Sequence, residues 1–452
     1  MLERTSSMGT VSHTAGFTVI PVHRKRVRGL AKGVAAVGLT SLLVTAPLTA
    51  TAKDITSDQA RDAAVISEWN LIAQTTLTAD TTTSVPEDFL YMGFVQAAVY
   101  NAVVGIDGRY EPYRFSARAP KASSQAAAAA AAYKILLTYT PNPQHAGLDS
   151  AYSQSLAKIP DGNAKTGGVK FGQLAAGALI AQRADDGRND STIRFTQPLA
   201  AGVWRPTAAG TSFLAPWLAF VDPLLVKSGA QFGKIGPPPA LTSGDYTKDF
   251  NEVKDKGSKT STVRDAQETA TAQFYAGNPV VQFNTALRNQ ATVRSLDIVG
   301  AARMFAAVDM SLADEIISIW RSKYVYGFWR PTTAIRLADT DGNPETTADP
   351  SWEPLLAAPP YPDYVSGYCG VIGAFTRALQ GALQTQHLQL TFTSTAVATT
   401  TRSYDSGSEV RNEVIDARVW LGLHFRTADL RAVQMGDQVA EWALDHYFRP
   451  VA

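Results

Sequence analysis

Three short stretches of this chain carry the residue types that grip a tetrahedral oxyanion and attack its centre. They are KYVYGFWRP from Lys323 to Pro331, YVSGYCG from Tyr364 to Gly370, and RVWLGLHF from Arg418 to Phe425. Lys323 and Arg330 stand seven residues apart, which on one continuous helix is about 700° and leaves both on one face to within about 20°. Arg330 offers a planar fork of donors and Lys323 a point charge, the usual division of labour around phosphate-like groups. Ser366 supplies a hydroxyl and Gly367 a backbone N–H, just ahead of apolar residues at Ile372, Phe375, Leu379 and Leu383. Those spacings predict a helix whose N-terminus, with its free N–H groups and dipole, favours an anion. Arg418 and His424 lie six residues apart, about 120° out of phase on one helix, so both reach one ligand only where the helix stops between them. Gly422 is a natural stop.

The order K-x6-R-P, then S-G, then R-x5-H resembles the vanadium-dependent haloperoxidase and type-2 phosphatidic acid phosphatase superfamily. Further runs are similar to its haloperoxidase branch: IWRSKYVYGFWRPTTAIR from Ile319 to Arg336, PPYPDYVSG from Pro359 to Gly367, and VQAAVYNAVVGIDG from Val95 to Gly108. The resemblance covers most of the chain beyond about residue 65, with the site motifs in the last 130 residues. It implies that Lys323, Arg330, Ser366, Gly367 and Arg418 hold the oxygens of vanadate, or of phosphate in its place. His424 is then the axial vanadium ligand of a peroxidase or the nucleophile of a phosphatase that forms a phosphohistidine. Trp320 and Tyr361 fall on the halide and substrate side of the pocket. The implied fold is all-α, two helical bundles packed into one body with the active site in the C-terminal bundle. The expected activity is peroxide-driven oxidation of halide, with hydrogen peroxide, halide and a small molecule as partners. The alternatives are an acid phosphatase-type phosphomonoesterase and an oxyanion-binding homologue without turnover.

The departure from the family is Tyr368, where a histidine normally follows the Ser-Gly pair. If Tyr368 inherits the acid–base role, a phenol with an ordinary pKa near 10 replaces an imidazole near 6.5, and it accepts a proton poorly at neutral pH. His446, near Trp442 on the last helical segment, is a possible replacement brought in by folding. Cys369 is the single cysteine, so no intramolecular disulfide forms, and it reads as a small packed residue.

The elements that must position these groups are helical. Ser84-Val85-Pro86-Glu87 reads as a cap with a first-turn proline, followed by Met92, Val95, Val99 and Val103. The alanines from 126 to 132 favour helix, and Phe305, Val308, Leu312, Ile316 and Ile319 mark an amphipathic helix running into Lys323. Helices are expected over 84–104, 295–325 and 368–384. Residues 53–190 form an N-terminal helical half, and 191–241, rich in Pro, Gly and aromatics, an irregular crossing. Residues 242–452 form a C-terminal half that bears every motif.

Of 452 residues, 45% are hydrophobic and 18% charged, with a formal net charge of +1. That balance gives no electrostatic basis for nucleic-acid binding. The cluster HRKRVR from His23 to Arg28, the apolar stretch from Gly29 to Leu48 and Ala50-Thr51-Ala52 read as an export signal over 1–52. Lys32 and Pro47 shorten its apolar core below the ~20 residues of a membrane span. A secreted, extracytoplasmic protein without a stable span in the mature chain is the expectation.

Overall fold

The computed structural model describes residues 57–398 and 400–451. The expected leader, 1–52, lies outside the described residues. The fold is all-α. In the N-terminal part are α1 (Ser57–Thr78), α2 (Val85–Asp107), α3 (Ser124–Tyr139), α4 (His145–Ala157) and α5 (Asn163–Gln182). After the crossing come α6 (Gly244–Lys256), α7 (Ala266–Phe274), α8 (Pro279–Val293), α9 (Ile298–Tyr326) and α10 (Pro331–Arg336). The chain then forms α11 (Gly367–Leu383), a two-stranded antiparallel hairpin of β1 (His387–Thr393) and β2 (Thr401–Ser406), α12 (Gly407–Trp420) and α13 (Arg426–His446).

The expected cap at Ser84 forms: the Glu87 carboxylate takes the Ser84 N–H at 2.8 Å at the start of α2. At the start of α9 the Asp297 side chain accepts the Gly300 N–H at 2.8 Å, a cap the sequence reading did not include. Both satisfy donors that a helix start leaves open. Helix α2 is long and apolar enough to cross a membrane by length and composition, yet it is buried almost from end to end. It is a core helix, and it packs on α9, itself buried from Val299 to Lys323 over nearly every position.

Helix α9 links two groups of helices. On one side α2 packs with α1, α3 and α5, and on the other α11 packs with α13 and α12. Between 183 and 243 the only helical piece among the described residues is a 3-10 turn, Pro216–Phe220. The crossing is tied to α9 by the buried Asp314, whose carboxylate accepts the backbone N–H groups of Leu224, Leu225 and Val226 at 2.6, 2.7 and 2.8 Å. A buried carboxylate needs such partners, and these three close the backbone account of an irregular segment.

Candidate active site

Lys323 lies on the last turn of α9 and Arg330 does not continue it. Gly327 takes the left-handed conformation at φ 54°, and its N–H caps the Lys323 carbonyl at 2.9 Å. Arg330 is the residue before α10, with Pro331 at the first helical position. This corrects the single-helix reading. The two cations converge because the chain turns between them, and the signals for the turn were Gly327 and Pro331. A side chain at 327 would strain the backbone, and its Cβ would lie 2.5 Å from Gln197 Oε1.

The other motifs fall as expected. Ser366 caps α11 and Gly367 is its first residue. A Cβ built at Gly367 meets nothing within 4 Å, so the Cα of this residue borders open space. Helix α12 ends at Trp420, Gly422 turns the chain at φ 75°, and His424 sits in the short link before α13. The helix thus stops between Arg418 and His424.

These side chains form one buried cluster. Lys323 Nζ donates to the carbonyls of Pro362 and Asp363 at 2.7 and 2.9 Å. Arg330 donates from Nε to the Tyr361 carbonyl at 2.8 Å and from Nη1 to the Leu423 carbonyl at 2.9 Å. Both cations lie over the Tyr361 ring, at 5.0 and 4.8 Å from its centroid. Arg418 donates to the Tyr275 carbonyl at 3.1 Å. Arg330 Nη2 and Arg418 Nε have no hydrogen-bond partner, and Ser366 Oγ makes no well-aligned one. Burial, with Arg330 next, holds the Lys323 amine well below its ordinary range. Burial, then Arg330, Lys323 and Arg418, also drives His424 well below an ordinary imidazole. His424 is therefore neutral, with one nitrogen free to act as ligand or nucleophile.

Arg330 Nη1 lies 3.0 Å from His424 Nε2 and 3.5 Å from Nδ1. A donor on the in-plane lone pair of Nε2 would stand much farther from Nδ1, so the guanidinium lies across the ring and leaves that lone pair open. Asp363 Oδ1 is 2.8 Å from Nδ1, a close approach that is not aligned as a hydrogen bond. Burial raises the Asp363 carboxyl well above its ordinary range; in its ionised form it favours the tautomer with the proton on Nδ1 and the lone pair on Nε2. Sequence reasoning missed Asp363, although an acid three residues before Ser366 inside a quoted motif was a signal. It also missed Asp429, on the first turn of α13, whose buried carboxyl lies beside Ser366 and Cys369 and is pushed up to about 7 by burial.

A cavity of about 170 Å³ opens onto this cluster, with Gly367, Arg418 and His424 on one side. Trp320, Tyr361, Ile316, Val371 and Leu356 make an apolar wall, joined by Val85, Pro86 and Phe89 from the start of α2 and by Ala276, Gly277 and Pro279 ahead of and into α8. Trp320 and Tyr361 are in contact, with ring centroids 5.0 Å apart.

Tyr368 reaches the cavity wall, but not in the role expected of it. Its hydroxyl donates to Gln282 Oε1 on α8, and its ring packs edge-on with Tyr275 and Phe283. Its face is turned to Arg418, at 5.2 Å. Burial raises its pKa further, so the phenol is a packing and cation-holding group rather than an acid–base one. His446 stacks on Trp442 at 3.6 Å on the exposed end of α13 and takes no part. Cys369 is buried, and burial holds its thiol protonated.

The orphaned donors suit a tetrahedral oxyanion. Arg418→Ala is expected to weaken phosphate binding by about 1.5 to 3 kcal/mol, the scale of a charge-assisted hydrogen bond. Unchanged affinity in calorimetry would remove Arg418 from the site.

Comparison with known proteins agrees with this geometry. Residues 303–452 match the family model of the VCPO second helical-bundle domain. The vanadium chloroperoxidase of Curvularia inaequalis is 29% identical over 174 residues, which are 31% of this chain and 28% of that protein. The chain therefore aligns to well under a third of that relative's length. In solved structures, a bacterial vanadium-dependent iodoperoxidase shares the fold with a TM-score of 0.71, 20% identity, and coverage of 88% of this chain and 98% of that one. A bacterial vanadium-dependent chloroperoxidase in its holo form gives 0.65 and 17%, covering 80% of this chain and 92% of that one. The helical architecture is shared with those two structures. Over residues 303–452 the chain matches the second helical bundle of the VCPO family, and its fold is that of vanadium-dependent haloperoxidases of known structure.

Proposed function

We propose that this protein is a vanadium haloperoxidase-type enzyme that binds vanadate, uses hydrogen peroxide to oxidise halide, and works outside the cytoplasm. One observation carries the reading. Three buried cations, a helix N-terminus and the uncommitted donors Arg330 Nη2 and Arg418 Nε gather beside His424, and no carboxylate lines the cavity among the described residues. Asp363, 4.0 Å from Arg330 Nη1, faces these cations from behind the cavity; burying the rest of their charge costs several kcal/mol per ion, which a bound anion would offset.

Lys323, Arg330, Ser366, the Gly367 N–H and Arg418 would hold the oxygens of the anion, with His424 Nε2 beneath it. Vanadate, when bound, supplies the peroxide chemistry. The chain's own part is to fix charge and geometry: Asp363 keeps the His424 proton on Nδ1, and Tyr361 carries both Lys323 and Arg330 on its ring. The apolar wall around Trp320 limits water and admits a small, weakly hydrated partner. The basic and apolar leader with its Ala-x-Ala end supports export.

The test is a vanadate titration of the purified protein with thermal unfolding, followed by peroxide-dependent halide oxidation and phosphomonoester hydrolysis. Saturation at 100 times Kd is expected to stabilise the fold by about 2.7 kcal/mol, with halide oxidation appearing in step. Hydrolysis without halide oxidation would replace this reading with a phosphatase acting through His424. Binding with neither activity would leave an oxyanion-binding protein, and absence of binding would overturn the site itself.

A further inference from the structure

The cavity holds few neutral protic side chains that are free to donate a hydrogen bond. His424 is the only imidazole lining it among the described residues, and the lone pair on its Nε2 is committed to the anion if the proposed function holds. The other protic side chains in the wall are already engaged or permanently charged. The Tyr368 hydroxyl is held by Gln282. The Trp320 indole N–H donates to the Leu214 carbonyl at 3.0 Å. Arg418 gives no proton at any ordinary pH.

Tyr361 is different. Its backbone carbonyl is taken by Arg330 Nε at 2.8 Å and its ring carries Lys323 and Arg330 at 5.0 and 4.8 Å. The Arg330 guanidinium thus lies against the Tyr361 ring, Tyr361 itself lines the cavity, and no hydrogen bond engages its hydroxyl among the described residues. The same guanidinium has the uncommitted Nη2. An anion seated on Nη2 would lie against the same ring in the cavity, where the hydroxyl can donate a hydrogen bond to it.

We propose that the Tyr361 hydroxyl is a direct hydrogen-bond donor to the cavity-facing oxygen of a bound tetrahedral anion, and the protic contact of the site that Tyr368 does not provide. The inference rests on the oxyanion-binding reading above. It makes Tyr361 a residue that touches the bound group, beyond its place in the apolar wall. No covalent step is involved: the proton stays on the phenol while the hydrogen bond shares it with the anion.

Tyr361→Phe tests this cleanly, because the ring, its contact with Trp320 and both cation contacts are retained while the hydroxyl is lost. Inorganic phosphate and orthovanadate are titrated by calorimetry into the wild type, Tyr361→Phe and Tyr368→Phe. A loss of tenfold or more in affinity for both anions is expected in Tyr361→Phe, in keeping with a hydrogen bond to a charged partner. Its ligand-free melting temperature should match the wild type, which separates a lost contact from a disturbed fold. Tyr361→His, which restores a ring donor, should recover part of the affinity. Wild-type affinity in Tyr361→Phe overturns the proposal, as does a loss in Tyr368→Phe that Tyr361→Phe lacks. If the wild type binds neither anion, the oxyanion-binding reading fails and this inference fails with it.

Discussion

Arg330→Ala is expected to abolish measurable phosphate or vanadate binding and to destabilise the fold by about 3 kcal/mol or more, the scale for breaking a buried charged network. Arg330 is fully buried and bridges three segments, through the carbonyls of Tyr361 and Leu423 and the ring of His424. Truncation strands two carbonyls without donors and opens a cavity beneath the site. Arg330→Lys separates the two effects, since it keeps a positive charge but loses the fork that reaches several acceptors at once. The lysine variant should fold and yet bind phosphate at least tenfold more weakly than the wild type. Urea unfolding and phosphate calorimetry on both variants check this. Full affinity in Arg330→Lys would show that charge alone, rather than the geometry of the guanidinium, holds the anion.

The second large effect lies away from the site, in the core helix α9. Asp309 is buried without a hydrogen-bond partner for either oxygen, near Arg288 and Asn284, and burial pushes its pKa up to about 8. A carboxyl whose folded pKa exceeds its unfolded one favours the fold while protonated. That contribution is complete below the unfolded value, near 4, and is lost as pH rises through about 8. Asp88 and Asp429 at about 7 and Asp314 at about 6 act in the same direction. The protein should therefore unfold more readily at pH 9 than at pH 5. Asp309→Asn should remove part of that difference, stabilising by about 2 kcal/mol at pH 9 with little change at pH 5. Unfolding free energies of the two proteins at both pH values decide it. An equal effect of the substitution at pH 5 and pH 9 would mean that Asp309 stays ionised in the fold.

Much of this molecule was legible in the order of its residues. Helices expected over 84–104, 295–325 and 368–384 form as Val85–Asp107, Ile298–Tyr326 and Gly367–Leu383, because apolar periodicity and capping act over a few residues and are written locally. The same holds for the start of α11 at Gly367 and for the break at Gly422, where a glycine supplies a left-handed turn. Spacing alone misjudged Lys323 and Arg330, which meet across the turn at Gly327 rather than along one helix.

What tertiary structure decided are the contacts between residues far apart in the chain. Nothing near Tyr368 in sequence announces Gln282, yet that amide holds its hydroxyl and sets the phenol aside from acid–base work. Nothing near His424 announces Asp363, 61 positions earlier, at 2.8 Å from its Nδ1. The start of α2 closes the cavity over a site whose motifs all lie beyond residue 320. Periodicity specifies which face of a helix is buried, but not which partner it meets. The residue types at the site were therefore fixed by sequence, while their tautomers, their free donors and the shape of the space above them depend on packing.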